Sequence, residues 1–400
     1  MLNKPKILIL IDWFTPGFKA GGPIKSVTNI VNSLHKTYDF YIVTSDRDIN
    51  ETLPYKKVQL NRWIKKENYN IIYLSPEERS DWLKNNLAKK EYDAYYFNSL
   101  FSKNFTLQPL LKLIKLNLDY KATIAPRGML GEGALAIKPL KKKLFLALTR
   151  TLGYYKKVTW HATNLEEKND ITTNFGAQST VKIASNISLC IINRKEIIKS
   201  KDNLNIVFFS RISPKKNLLY ALQLLIGLKH IKLDIYGSIE DDVYWQKCKQ
   251  LILDYKINAN YKGEILPVNV TKTLSNYHFM LLPTLHENYG HVIVEALTAG
   301  CGLIISDNTP WRNLEKNKIG WDINLNNNAN FIATLKSCIL MEQTEYNSIR
   351  NNCYNFVEHK INTNKEIEDT KNLFNTITIG INPVKMLLQG LYGMLLMPYF

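Results

Sequence analysis

Short apolar runs alternate along the chain with stretches whose apolar residues recur every three or four positions. Lys6–Ile11, Asp39–Thr44, Ile71–Leu74, Asp93–Phe97, Lys121–Ala125 and Val158–Thr163 read as buried strands in the first half. Asn205–Phe209, Ile231–Tyr236, His278–Pro283 and Gly302–Ser306 do so in the second. Between the first two, Ile24, Val27, Ile30, Val31 and Leu34 mark an amphipathic helix with Pro23 at its start. Asp81–Lys90 reads as a polar helix. Leu218, Leu222 and Leu225 mark another, with Ser213 as expected N-cap and Pro214 at its first position. A further helix is expected over His291–Ala299, with Gly300 where a left-handed cap is needed. Strands without polar alternation, separated by helices, predict an α/β protein with parallel sheets covered on both faces. Ligands of such sheets sit at the carboxyl ends of the strands.

The chain has 400 residues, room for two α/β units. The expected division is 1–185, a linker over 186–203, a second unit over 204–353, a returning helix over 354–377 and an apolar tail from 378 to 400. A hydrophobic content of 45% against 22% charged is that of a globular protein. The net charge of +17 predicts an anionic partner: nucleotide, phospholipid surface or nucleic acid. Nucleic acid is disfavoured, because basic and aromatic residues do not interleave on one face. The five cysteines show no metal-like spacing and read as buried thiols of a reducing cytoplasm. Ile7–Ile11 is too short for a secretory signal and reads as the first strand.

The candidate chemistry lies after the strands. Glu287, Asn288, Tyr289 and Gly290 follow one strand, and His291 and Glu295 lie on the helix beyond. Two carboxylates beside free helix N–H groups suit a polyhydroxylated, diphosphate-bearing ligand; taken as an isolated pair they read more simply as offsetting the helix dipole. Gly21 and Gly22 open the first helix and permit close backbone approach. Arg211 follows another strand, and Lys215 and Lys216 fall in the expected first turn of the next helix, where cations are disfavoured unless an anion binds. Gly237 ends the strand Ile231–Tyr236. Asn98 is placed for acceptor contact. Arg127, in Pro126-Arg127-Gly128-Met129, either contacts an acceptor or phosphate or anchors its loop. Asp46-Arg47-Asp48 has the D-x-D form of a metal site but lies beside no nucleotide-binding pattern, and His161 reads as structural.

From His278 to Trp311 the chain resembles the E-x7-E region of retaining, GT-B glycosyltransferases of family 4, including Gly300-Cys301-Gly302 and Asp307-Asn308-Thr309-Pro310-Trp311. Ser210-Arg211-Ile212-Ser213-Pro214-Lys215-Lys216 resembles the family's G-R-x-x-x-x-K region, with Ser210 in place of glycine. Gly21-Gly22 resembles its first glycine-rich turn, and Pro126-Arg127-Gly128 a subset that lacks the usual histidine. Ser185-Asn186-Ile187 stands where Pro-Asn-Gly is usual.

The resemblance implies two Rossmann-like doubly wound domains facing across a cleft. It implies sugar transfer from a nucleotide diphosphate sugar, with retention and with no metal cofactor. Arg211 and Lys216 would hold the diphosphate and Glu287 the transferred sugar. Glu295 would hold the ribose, and the backbone at Gly290-His291 phosphate or sugar. The implied acceptor is a lipid-linked saccharide of bacterial O-antigen, capsule or exopolysaccharide assembly, at the inner face of the plasma membrane. A nucleotide-sugar 2-epimerase of the same architecture is the alternative.

Two features bear on a membrane. Lys121–Lys157 holds nine Lys/Arg and one acid, and Leu140, Leu144, Leu148 and Leu152 fall on one helical face within the basic segment 138–152, which suits either an anionic membrane surface or a domain helix with a solvated basic side. The tail 381–400 is apolar with Lys385 its one charge, but Asn382, Pro383, Gln389 and two glycines interrupt it, so lying on a membrane is expected rather than spanning it, with packing against the domain as the alternative.

Overall fold

The computed structural model describes residues 4–379 apart from 88, 90, 137, 138 and 362; the tail 381–400 and Lys138 lie outside the described residues. The chain divides into two compact units, one running to Ile187 and resuming at Asn364, the other Ser188–Thr363. The fold is the GT-B architecture: each unit is a doubly wound, Rossmann-like α/β domain.

The described strands of the first unit are β1 (Lys6–Leu10), β2 (Asp39–Ser45), β3 (Ile64–Lys65), β4 (Asn70–Leu74), β5 (Ala94–Phe97), β6 (Ala122–Ile124), β7 (Thr159–Ala162) and β8 (Thr180–Ile183). They form one sheet in the order β3-β4-β2-β1-β5-β6-β7-β8, parallel except for the short edge strand β3. β1 shows why its run is unbroken: alternate residues point to opposite faces, and both faces are covered. Ile7, Ile9 and Ile11 join Val27, Ile30 and Leu34 of the helix Gly22–Leu34. Leu8 and Leu10 join Leu110, Leu113 and Trp160 on the other side. The helix Thr363–Ile379 packs on the first of these faces through Leu373, Phe374 and Ile377, and Tyr38 donates to Asn375 Oδ1 at 2.7 Å.

In the second unit β9 (Leu204–Phe209), β10 (Ile231–Tyr236), β11 (Ala259–Gly263), β12 (Phe279–Leu282), β13 (Gly302–Ser306) and β14 (Gly320–Ile323) form a wholly parallel sheet, ordered β11-β10-β9-β12-β13-β14. In both units the winding reverses beside the first strand. β10 lies on one side of β9 and β12 on the other; β2 lies on one side of β1 and β5 on the other. These are the switch points where crevices open at the carboxyl edge.

Several expectations differ in detail. The polar helix expected over 81–90 begins earlier, at Pro76, and ends at Leu87, since Pro76 with Glu77 and Glu78 makes a favourable first turn. The helix expected to start at Ser213 is interrupted: Pro214–Lys216 is a single 3-10 turn, Asn217 adopts φ 62°, and the α-helix proper is Leu218–Gln223. Asparagine tolerates that left-handed conformation, and it breaks the helix. Lys215 and Lys216 therefore precede the α-helix rather than occupying its first turn, so its dipole does not disfavour them there. Between 354 and 377 the chain forms the end of one helix, Gln343–Lys360, and most of the next, Thr363–Ile379. Among the described residues no helix is long and apolar enough to cross a membrane.

Candidate functional site

The β9/β12 switch point gathers most of the singled-out residues. Arg211 leaves β9. Lys216 ends the 3-10 turn, with its side chain only 10% exposed, and forms an ion pair with Glu287, which follows β12 and is 16% exposed. Backbone bonds lock the two loops together: Leu285 N–H and the Thr284 hydroxyl both donate to Lys215 O, at 2.9 and 3.1 Å. Burial by itself would raise the Glu287 carboxyl. The charges of Lys216, Lys215 and Arg211, with the Lys216 hydrogen bond, outweigh it and hold the group below the usual carboxylate range.

Arg211 is steered from a third loop. Gly237 ends β10 with φ 141°, and a Cβ there would lie 1.9 Å from Ser210 O, so only glycine lets the two backbones meet. Beyond it, Ile212 N–H donates to Ser238 O at 2.8 Å and Glu240 N–H to Ile212 O at 3.1 Å. That pairing delivers the Glu240 carboxylate to Arg211 at 2.9 Å. Glu240 carries no sequence pattern of its own. Its only signal is its position three residues beyond Gly237.

The loop Glu287–Gly290 rests on the stretch after β13. Glu287 N–H donates to Asn308 O at 2.9 Å, the Trp311 indole N–H donates to Tyr289 O at 2.5 Å, and the Tyr289 and Trp311 rings pack at 5.7 Å. Ser188 bonds the Tyr289 hydroxyl. The motif Asp307–Trp311 thus supports the loop that carries Glu287. Asn288 is half-buried in the same loop. Gly290, at φ 77°, caps the helix His291–Thr298 without a side-chain hydrogen bond, and the helix has no acid in its first turn. The positive end of such a helix suits an anion. His291 is buried in that first turn, and Glu295, one turn further, is half-buried. Gly300 takes φ 69°, and Cys301 N–H closes the helix on Ala296 O at 2.8 Å.

The remaining candidates belong to the first unit. Gly21, at φ 66°, precedes the helix that Gly22 begins; no side chain caps that helix. Asn98 follows β5 at the β1/β5 switch point and donates to Pro23 O at 3.2 Å. Arg127, at φ 56°, donates from Nε to Asn98 Oδ1 at 2.7 Å, and from its two terminal nitrogens to Asn186 Oδ1 at 2.6 Å and the Tyr96 hydroxyl at 2.8 Å. Arg127 thus ties together the ends of three chain segments. Its anchoring role is visible, and Asn98 is fixed by it.

The Tyr96 hydroxyl donates to His161 Nδ1 at 2.7 Å, because His161 Nε2 faces the carbonyl of Ala184 at 2.8 Å and must carry the proton. Burial, reinforced by the Arg127 charge, pushes the imidazole down to about 3, so it stays neutral. Asp46 and Asp48 have structural partners. Asp46 binds Arg47 at 2.8 Å, and Asp48 Oδ2 accepts the N–H groups of Phe18 and Lys19 at 2.8 and 3.1 Å, shaping the loop before Gly21. No cluster of three or more His, Cys, Asp or Glu side chains suited to a metal occurs among the described residues.

Two mostly parallel sheets with switch-point crevices, the one in the second unit lined by cations, are features of the GT-B fold. Residues 191–356 match the family model described as glycosyl transferases group 1. No curated protein matches the chain by sequence. Among solved structures, HepE of Anabaena in complex with UDP and glucose is 13% identical, with a TM-score of 0.66, over 93% of this chain and 100% of its own. The sucrose-phosphate synthase of Thermosynechococcus elongatus is 13% identical, with a TM-score of 0.70, over 94% and 100%. WaaG, a glycosyltransferase involved in lipopolysaccharide biosynthesis, is 13% identical, with a TM-score of 0.63, over 93% and 99%. At these identities the likeness speaks for the fold.

Proposed function

We propose that the protein is a retaining glycosyltransferase of family 4. In this reading it moves a sugar from a nucleotide diphosphate sugar to a lipid-linked saccharide during assembly of a bacterial surface polysaccharide. The observation that carries this reading is the convergence of Arg211, Lys215, Lys216, Glu287 and a helix N-terminus with no acid in its first turn at the β9/β12 switch point.

Glycosyl transfer passes through an oxocarbenium-like state while negative charge grows on the departing diphosphate. Arg211, leaving Glu240, offers a planar fork to that diphosphate and Lys216 a point charge. With the N–H groups at Gly290-His291 they stabilise the leaving group where its charge develops. Fixed cations in that place do the work of a divalent ion, so the reaction runs without one. Glu287, kept ionised by its lysine, accepts hydrogen bonds from hydroxyls of the transferred sugar, and Glu295 from the ribose. Asn288, Tyr289 and the backbone at Gly237 complete the donor contacts. On the first unit, Asn98 and Arg127 contact the acceptor. With retention, the leaving phosphate itself takes the acceptor proton. HepE was solved with UDP-glucose, and TarM of S. aureus with UDP and α-GlcNAc-glycerol; their ligands support this assignment of donor and acceptor chemistry. The protein would act in the cytoplasm, peripheral to the inner face of the plasma membrane, through the basic segment 138–152 and the tail 381–400.

Calorimetry against UDP, GDP, ADP and CMP identifies the donor base. Turnover of the matching donor, with the anomer of the product read by NMR, then tests the reaction. Arg211→Ala and Glu295→Ala should each lose activity by at least a hundredfold, since one charge-assisted hydrogen bond is worth about 1.5–3 kcal/mol and each residue makes more than one. Activity within twofold of the parent in both variants rejects these roles. Dependence on manganese after EDTA treatment refutes the metal-free scheme, and an isomerised sugar from donor alone means an epimerase.

A further inference from the structure

The carboxyl edge of the first unit holds two opposite charges that sense each other and do not meet. Asp12 lies just beyond β1 at the β1/β5 switch point, and Arg79 comes from the helix Pro76–Leu87 that follows β4. Both are half-buried. One turn beyond β5 anchors them. The Ser102 hydroxyl accepts the Phe105 N–H at 3.0 Å, which leaves its proton for Asp12 Oδ1 at 2.7 Å. The Arg79 guanidinium lies over the Phe105 ring, 4.9 Å from its centroid. Ser102 and Phe105 thus hold the acid and the cation side by side and apart.

Neither group is satisfied by the protein. The charges of Asp46 and Asp12 both act on Arg79, yet no ion pair joins it to either among the described residues. Asp46 is already held by Arg47 through two hydrogen bonds, of 2.8 and 3.0 Å. Arg79 Nε is enclosed and has no acceptor, which is uncommon for a buried donor. Asp12 uses one carboxylate oxygen on Ser102, and its Oδ2 accepts no hydrogen bond among the described residues. Burial raises the Asp12 carboxyl, against the Ser102 bond and the Arg79 charge. One more donated hydrogen bond would favour its ionised form.

Unused donors beside an unused acceptor match adjacent hydroxyls of a sugar: one accepts from Arg79, and its neighbour donates to Asp12. A ligand carboxylate or phosphate would meet Arg79 only against the Asp12 charge, and an amine would meet the reverse. A neutral diol is the ligand that both charges favour. We propose that Asp12 and Arg79 form a saccharide subsite of the first unit, which holds an uncharged sugar of the acceptor through two adjacent hydroxyls and excludes a uronic acid. This deepens the acceptor reading and rests on it.

The test reads binding rather than turnover. The full chain is mixed with methyl glucoside, methyl galactoside, methyl mannoside and methyl glucuronide at millimolar concentration, and saturation transfer to each is followed by NMR. The parent should bind at least one neutral glycoside, and the glucuronide at least about tenfold more weakly. Asp12→Asn keeps the shape of the side chain and removes its charge. It should weaken the neutral glycoside by about tenfold or more and strengthen the glucuronide, whose carboxylate then meets Arg79 unopposed. Loss of a merely structural residue would not reverse the order of ligands. Arg79→Gln should weaken the neutral glycoside and leave the glucuronide unbound. Should that variant fail to fold, Arg79→Lys keeps the cation and, lacking the planar fork, should still weaken the neutral glycoside.

A parent that binds no neutral glycoside, or that prefers the glucuronide, overturns the proposal. Neutral binding that survives both substitutions does so as well. Glycoside binding that is lost in Asp12→Asn, in a parent that neither binds UDP, GDP, ADP or CMP nor turns over a donor, refutes the transferase reading and leaves the subsite standing. Sugar transfer together with glycoside binding indifferent to Asp12 and Arg79 refutes the subsite alone.

Discussion

Replacing Lys216 by methionine probes the pair on which the candidate donor site is built. The two side chains are 10% and 16% exposed, so the pair is closer to a buried than to a surface one. Breaking a buried pair costs about 3–5 kcal/mol and an exposed one about 0–1. Lys215 and Arg211 also act on Glu287 and retain part of the compensation. A loss of about 2–3 kcal/mol from the second unit at pH 8 is therefore expected for Lys216→Met.

The sign with pH follows from the shift. In the parent, Glu287 is depressed, and it contributes stability above its unfolded value that is lost as pH falls through its folded one. Without the ammonium, burial dominates and the carboxyl rises. Its ionised form is then a penalty at pH 8 that disappears by about pH 4. The deficit of the variant should thus shrink on acidification. Lys216→Met/Glu287→Gln should recover at least half of it, while donor binding stays lost in both. Urea unfolding followed through Trp245, Trp311 and Trp321 of that unit, alongside calorimetry, reads the stability; UDP titration reads the binding. A deficit that is equal at pH 8 and pH 4, or a double variant as unstable as the single, would refute the coupling.

Three further outcomes are expected. Glu240→Gln frees Arg211 from a pair that is about one third exposed; UDP should bind up to about fivefold more tightly by calorimetry, and weaker binding would mean that Glu240 orients the guanidinium instead. Gly237→Ala places a methyl against Ser210 O and should lower stability by about 2–4 kcal/mol, read as a fall in thermal midpoint. Asp170 is pushed up to about 6 by burial and then by Glu167, Glu166 and Glu132. A carboxyl raised in the folded state loses stability as pH rises from about 4 through about 6, so Asp170→Asn should stabilise by about 1–2 kcal/mol at pH 7.5 and leave pH 4 unchanged, in urea melts at the two pH values.

Local pattern determined much of this protein. β1 and β12 are unbroken apolar runs because both of their faces are covered, and the helix Gly22–Leu34 is legible from the spacing of Ile24, Val27, Val31 and Leu34. Gly300 is legible because a left-handed cap needs a residue without a Cβ. These depend on neighbours within a few residues, so a linear reading reaches them. The α-helix starts at Leu218 and not at Ser213 because Asn217 can take either hand, and only the surrounding packing chose. Glu240 against Arg211 and Glu287 against Lys216 join residues 29 and 71 positions apart. Such pairs exist because β9 has β10 on one side and β12 on the other, an order of strands that no local periodicity encodes. The bonds of Arg127 to Asn98, Tyr96 and Asn186 likewise join residues far apart in the chain. The leucine band was visible as spacing, but spacing is the same for a helix face turned inward and one turned outward. Burial of Leu146 and Thr149 decided which face the sheet takes and left the leucines outside.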